Sequence, residues 1–222
     1  MSKRIIVVSP HPDDETLGAG GTIAKFSAAG HRVTVLVVSG HLPPIYKRDV
    51  YDETVREAMK AFALLGVSES HFLEIPATKV HEQPVCELNS KIEAVAKEID
   101  PHIVLCPFPD RHIDHRTIFD SSMVMTRPLA ARRSLELVAA YETLSETHWN
   151  ASHIEPNFTP NWVVDISAHI DTKKNALACY ASQIQPFPAA RSLEAAEALA
   201  KFRGTQAGFA FGEGFHIIRM TS

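Results

Sequence analysis

Two short stretches gather the residue types that hold and activate small molecules. His11-Pro12-Asp13-Asp14-Glu15 lies directly behind the apolar run Arg4 to Ser9, and Asp110-Arg111-His112-Ile113-Asp114-His115 lies behind His102-Ile-Val-Leu-Cys-Pro107. Three consecutive carboxylates repel one another, so the first stretch costs stability unless a cation gathers it. A catalytic zinc takes three protein ligands of imidazole and carboxylate type and keeps a fourth position for water, and His11, Asp14 and His115 fit that count. A metal so held lowers the pKa of a bound water from about 15.7 to roughly 7, and an unliganded carboxylate beside it can take the proton. Each residue alone has a plainer reading. Asp14 or Glu15 could cap a helix starting near Thr16, and His112 and His115 could sit in a surface turn. Capping does not account for His11, and two such clusters at two strand ends favour the metal. Glu15 suits support of the site at least as well as catalysis.

The elements that would position these clusters alternate in type. β-Branched runs at 4–9, 31–40, 71–76, 102–107, 137–142, 162–167 and 215–220 predict strands. Segments of helical period at 16–29, 50–65, 87–99, 116–127, 169–182 and 192–204 predict helices. This is the pattern of βαβ units, and the expected fold is an α/β, Rossmann-like sandwich with a mostly parallel central sheet flanked by helices, in a single domain over 1–222. In such sheets ligands bind beyond the carboxyl ends of the strands, where both clusters fall. Gly18, Gly20 and Gly21 do not make a dinucleotide loop, because Ile23 takes the third glycine position of G-x-G-x-x-G and the cluster lies within a helical segment. Close packing of that helix on the sheet explains them better. Two long loops, 41–51 and 143–160, are candidates for substrate selection. His41 and His148 fall in them, and Trp149 and Trp162 could stack on a ligand or simply pack.

Composition narrows the partners. The 222 residues carry a formal net charge of −4, which argues against a nucleic-acid footprint, and no apolar run reaches the length of a membrane span. Cys86, Cys106 and Cys179 form no Cys-x-x-Cys, so neither a disulfide framework nor a thiolate zinc site is expected, and a reducing cytoplasm is the expected compartment. Arg191, after a Pro-rich turn, could hold a phosphate or carboxylate of a ligand.

His11-Pro12-Asp13-Asp14-Glu15 together with Arg111-His112-Ile113-Asp114-His115 resembles the paired motifs of the LmbE-like, or PIG-L, family of zinc-dependent N-acetyl-sugar deacetylases. The late segments Cys179-Tyr-Ala-Ser-Gln183, Arg191-Ser192 and Arg203-Gly-Thr-Gln-Ala-Gly-Phe-Ala-Phe-Gly-Glu-Gly-Phe215 resemble its C-terminal pattern. The resemblance implies one Zn2+ per chain, with other divalent transition metals able to substitute, held by His11, Asp14 and His115. It implies Asp13 as general base, His112 as the group that polarises the carbonyl or protonates the leaving amine, and Asp114 as the carboxylate that orients an imidazole. The family's usual arginine ahead of Glu57 is replaced by Thr54, which leaves Arg48 and Arg56, with Arg191, as substrate-binding candidates. The expected partner is a small N-acetylamino sugar of N-acetylglucosamine type, free or carried on a nucleotide, a small aglycone or a lipid, and the three arginines favour an anionic one such as a phosphorylated or nucleotide-linked sugar. A homo-oligomer is left open. Two other activities share the motifs: phosphoester hydrolysis with two metals, recruiting Asp110 or Glu15, and non-catalytic sugar binding around a structural ion.

Overall fold

The computed structural model describes residues 2–129, 134–151 and 153–221. Among them β1 (Arg4–Ser9), α1 (Asp14–Ala28), β2 (Arg32–Gly40), α2 (Arg48–Leu65), β3 (Glu69–Pro76), α3 (Val85–Ile99), β4 (Ile103–Pro107), α4 (Ile113–Met125) and β5 (Leu137–Tyr141) follow in alternation. The chain continues through β6 (Trp162–Asp165), α5 (Ile170–Ala178), α6 (Leu193–Thr205) and β7 (Gly212–Met220). The strands form one seven-stranded sheet in the order β3-β2-β1-β4-β5-β7-β6. The first five pair in parallel, and β7 runs antiparallel between β5 and β6.

β1 reads as an unbroken apolar run because both its faces are covered. Ile5 and Val7 enter a core with Ala19 and Ile23 of α1 and Ala58 and Phe62 of α2. Ile6 and Val8 enter the opposite core with Leu88 and Ile92 of α3 and Ile118 of α4. The chain leaves β1 on the side of β2 and returns after β3 to lay β4 against β1's other edge, so strand order reverses between β1 and β4. A crevice opens at that switch point, beyond the carboxyl ends of the two strands.

The glycines of α1 are where the helix meets the sheet. A Cβ on Gly18 would lie 2.2 Å from the Tyr141 ring and 2.6 Å from the Glu142 carbonyl oxygen, and one on Gly21 would lie 2.7 Å from Ile166. The same helix is stapled through its middle. The buried Glu213 carboxylate accepts from the amides of Gly21 and Thr22 at 2.8 and 2.7 Å, while Lys173 donates to the Leu17 carbonyl and to Glu213 at 2.8 and 2.6 Å. A side-chain ion pair thus takes backbone groups in the middle of the helix, a long-range arrangement that no local pattern announces.

Element ends moved where side chains outcompete period. α1 starts at Asp14, two residues before the expected Thr16, and α5 ends at Ala178 rather than Ser182. Buried Glu57 of α2 accepts from the amide and hydroxyl of Ser182, which pulls that segment out of helix. β7 begins at Gly212, three residues before the expected Phe215, and a short 3-10 turn at Val80–Glu82 was not anticipated. No helix among the described residues is long and apolar enough to cross a membrane.

Candidate metal centre

The turn after β1 is set by its prolines. Pro10 and Pro12 disfavour helical backbone at the residues before them, Ser9 and His11, and the chain enters α1 through Asp13 at φ 128°, a strained conformation for a residue with a Cβ. Glu15 holds this turn together. Its carboxylate accepts from Ser9 Oγ, Thr16 Oγ1 and Tyr180 Oη at 2.6 to 2.7 Å and from the Asp13 amide at 3.3 Å. Burial raises its pKa, and hydrogen bonds from Tyr180, Thr16 and Ser9 oppose the rise. With four donors on two oxygens, Glu15 braces the turn and has no lone pair aimed at the crevice.

The turn after β4 meets it from across the crevice. His112 is the N-cap of α4: its Nδ1 accepts from the Asp114 amide at 3.2 Å, and its own amide donates to Asp110 Oδ1 at 3.0 Å. His11 Nδ1 and His115 Nε2 lie 3.0 and 3.2 Å from the same oxygen, Asp14 Oδ2. Behind each ring stands a second carboxylate. Asp114 Oδ2 is 3.0 Å from His11 Nε2 and also accepts from the Thr78 amide at 2.6 Å, while Asp110 Oδ2 is 3.0 Å from His115 Nδ1 and accepts from Thr147 Oγ1 at 2.8 Å. Each outer carboxylate takes one ring N–H, which leaves the other ring nitrogen, beside Asp14, as the one that can give a lone pair to a cation once its own proton is displaced. This carboxylate–histidine pairing is the arrangement that commonly fixes metal-ligating imidazoles.

These residues fit a cation. Ligand atoms of His11, Asp14 and His115 lie within 4.8 Å of one another, as do those of His11, His112 and Asp114. Buried Asp13 Oδ1, Asp14 Oδ1, Asp114 Oδ1 and His115 Nε2 have no hydrogen-bond partner of good geometry, four such atoms gathered at one place where a cation would engage them. The protonation pattern agrees. Burial alone would lower His115, yet the Asp14 charge and the Asp110 and Asp14 hydrogen bonds carry it up to about 10. Burial likewise opposes His11, which Asp114 and Asp14 raise to about 9. Two protons therefore stand where a divalent cation would sit, and metal binding releases them.

Asp13 is held apart from this set. Its Oδ2 accepts from Arg191 Nη1 at 2.9 Å, and Arg191 Nη2 lies 3.8 Å from Asp14 Oδ1. Burial raises Asp13 to about 7 against the opposing Arg191 charge. His112 moves the other way, to about 4, through burial and then the charges of His11 and His115, so its ring is neutral with Nδ1 occupied and Nε2–H free to donate.

Of the arginines expected to read substrate, Arg191 alone joins the cluster. Arg48 pairs with Asp52 at 2.9 Å and with Glu74 at 2.9 Å, and Arg56 pairs with Glu53 one turn back on α2. Thr54 in turn bonds the Tyr51 carbonyl within the helix. Nearby, buried His41 Nδ1 has no partner, and His148 Nε2 is 3.1 Å from Glu142, which also takes Arg203 at 2.6 Å. The supporting residues Thr78, Thr147 and Tyr180 were not singled out from sequence. Thr147 sits in the long loop after β5 and Tyr180 in the Cys-Tyr-Ala-Ser-Gln segment, both visible only as regions.

The PIG-L family profile, described as GlcNAc-PI de-N-acetylase, matches residues 6–126, the span that carries both clusters. The chain belongs to the PIG-L family. Within that family it is 27% identical to the 1D-myo-inositol 2-acetamido-2-deoxy-alpha-D-glucopyranoside deacetylase of Rhodococcus jostii, over 84% of this chain and 83% of the relative. It is 25% identical to the diacetylchitobiose deacetylase of Thermococcus kodakarensis, over 97% of this chain and 83% of the relative. The PIG-L fold is not tied to one reaction: GalB, the 4-carboxy-2-hydroxymuconate hydratase of Pseudomonas putida, superposes with a TM-score of 0.78 at 20% identity, covering 99% of this chain and 98% of that one. The likeness to GalB is one of fold.

Asp110 acts on the site through His115, and replacing it by Asn tests this. An amide oxygen can still accept the Nδ1–H but lacks the charge, so the metal dissociation constant should rise ~10- to 100-fold, as for other carboxylates behind metal-bound imidazoles. Competition with a metallochromic chelator reads the change directly. Unchanged affinity would reduce Asp110 to a cap of the His112 amide.

Proposed function

We propose that this protein is a metal-dependent hydrolase that removes acetyl from an N-acetylamino sugar of N-acetylglucosamine type, with zinc as the working ion. The observation that carries the reading is the convergence of His11, Asp14 and His115 on one point, beside Asp13, a buried carboxylate outside the ligand set whose pKa stands near 7. The deacetylase relatives agree with it, each named for an acetylated glucosamine derivative. Imidazole and carboxylate donors without thiolate suit zinc.

A zinc ion held there supplies an acidified water and an electrophile for the amide carbonyl. The chain's own residues do the rest. Asp13 takes the proton from the attacking water, and Arg191 keeps its carboxylate oriented without removing its basicity. Neutral His112 donates Nε2–H to the oxyanion that develops at the carbonyl, a type of contact worth ~3 to 4 kcal/mol elsewhere. Protonated Asp13 then delivers its proton to the departing nitrogen, which leaves as the amine while acetate forms. Asp114 and Asp110 hold the two imidazoles throughout. A two-metal phosphoesterase is less well supported. Its extra ligands would be Glu15 or Asp110, and both are already engaged by donors. A purely structural ion would leave the strained, basic Asp13 without a purpose. The three cysteines are unpaired, which fits a reducing compartment, and we place the enzyme in the cytoplasm.

Incubating the purified protein with a panel of N-acetylamino sugars and following acetate by NMR decides the matter. Acetate should appear from at least one sugar, stop on addition of a chelator and return with zinc. No acetate from any member after zinc reconstitution overturns the deacetylase reading.

A further inference from the structure

Arg203 of α6 makes no hydrogen bond to the clustered residues, yet both sides of the site are tied to it through the long loop after β5. We propose that Arg203 is a positioning residue for the whole site: through Glu142, His148 and Phe158 it fixes the loop 143–160 in the form that holds both the ligand His115 and the base Asp13 in place. This rests on the zinc deacetylase reading and adds a residue that acts on it from outside.

Three observations carry it. The first is the grip. Arg203 Nε and Nη2 donate to Glu142 Oε1 and Oε2 at 2.6 and 2.7 Å, a two-pronged contact on a buried carboxylate, which is the geometry a guanidinium makes and an ammonium does not. Burial would raise the Glu142 carboxyl, and the hydrogen bonds from Arg203 and His148 hold it below its ordinary value instead. Glu142 directly precedes the loop. His148, in the middle of the loop, donates Nε2–H to Glu142 Oε2 at 3.1 Å, and Phe158, near its end, has its ring centroid 5.5 Å from the Arg203 guanidinium carbon. One side chain therefore holds the loop at its start, middle and end.

The second is what the loop delivers between those anchors. Thr147 Oγ1 accepts from the Thr143 amide at 2.9 Å and donates to Asp110 Oδ2 at 2.8 Å, and Asp110 stands behind His115. The Ser145 hydroxyl accepts from Arg191 Nε at 3.2 Å, and Arg191 holds Asp13. Ser145 does so at φ 77°, a backbone angle that a residue with a Cβ keeps only where its surroundings impose it. The third is the seat. A Cβ on Gly214 of β7 would lie 3.2 Å from Arg203 Cδ and Nε and 3.1 Å from Pro160 Cβ, so the absence of a side chain there admits Arg203 and the end of the loop together.

The test reads zinc affinity without substrate, by competition with a metallochromic chelator, and then kcat and KM at saturating zinc. In Arg203→Ala the zinc dissociation constant should rise about tenfold, the low end for groups that support a metal-bound imidazole. Because Arg203 meets no substrate, kcat should fall while KM stays within about twofold. The two branches separate. Thr147→Val should reproduce the affinity loss, and Ser145→Gly, which suits the backbone angle and removes only the hydroxyl, should lower kcat with zinc affinity unchanged. Arg203→Ala strands a buried charge, so the neutral pair Glu142→Gln with Arg203→Met distinguishes positioning from stability. That pair should melt near the wild type and still bind zinc more weakly. Should neither Arg203 variant fold, Phe158→Ala decides, since it frees the far end of the loop with the ion pair intact. Wild-type zinc affinity in Thr147→Val, in the neutral pair or in Phe158→Ala overturns the proposal. If no sugar yields acetate from the wild type while these variants lose zinc affinity, the deacetylase reading falls and the positioning of His115 by Arg203 stands.

Discussion

His115→Ala is expected to lose the metal and the activity together. His115 is fully buried, offers Nε2 toward Asp14 and is held from behind by Asp110. Without its ring the remaining ligands are His11 and Asp14, both on the turn after β1, and a two-ligand site on one wall of the crevice cannot hold a divalent ion through dilution. Elemental analysis after desalting should fall from one zinc per chain to none, with acetate release falling to background. The loss has a second signature. In the metal-free protein the imidazole is protonated, with a pKa near 10, and sits between Asp14 and Asp110. Removing one partner of a buried ion pair costs ~3 to 5 kcal/mol, so the variant should also melt at lower temperature than metal-free wild type. His11→Ala, at a more exposed position, gives the same metal readout if His115→Ala fails to fold. Full metal and full rate in either variant would show the ion is held elsewhere.

The motifs and the fold class were legible in sequence for a physical reason. Histidines and acids in close register behind buried strands are costly without a ligand, so their coincidence at 11–15 and 110–115 carries information that a single His or Asp does not. Strand and helix periods likewise survive because both faces of β1 and β4 must be apolar. What the sequence could not show is which carboxylate serves which imidazole. Asp110 and Asp114 are four residues apart on one turn, yet one holds His115 and the other reaches across to His11, with the Thr78 amide from the loop after β3 as its second partner. That choice depends on the packing of three separate strand ends. The arginines are a similar case. Arg48, Arg56 and Arg191 are equivalent as letters, but α2 supplies local acids to the first two, whereas the segment clamped by Glu57 delivers the third to Asp13.

The relation between fold and reaction follows from the same geometry. A hydratase shares this architecture across nearly its whole length, so the sheet and its switch point specify a place for chemistry and not its kind. What narrows the kind here is the pairing of a ligand set with a carboxylate kept outside it. Asp14 lies between the imidazoles, whereas its neighbour Asp13, turned away by a φ of 128°, faces Arg191. Adjacent residues of the same type thus take different roles through one backbone angle.

Asp13→Asn tests that division. The substitution preserves size and leaves His11, Asp14 and His115 in place, so zinc content should stay at one per chain. The amide can still accept from Arg191 but cannot take a proton from water, and kcat should fall by the ~100- to 10,000-fold that general acid–base groups contribute. The pH profile adds a sign. Burial raises Asp13 to about 7, and a cation in the adjoining site opposes that rise, so in the wild type the carboxylate form is lost as pH falls through about 7 or somewhat below. A base works only when ionised; the rate should therefore drop on the acid side, and the residual activity of Asp13→Asn should lack that limb wherever the metal stays bound. Measuring zinc content at each pH separates loss of the base from loss of the ion, because protons compete with the ion for His11 and His115. Near-wild-type kcat with an unaltered acid limb would assign the proton transfer to another group, and His112, neutral down to about 4, would then be the side chain to substitute next.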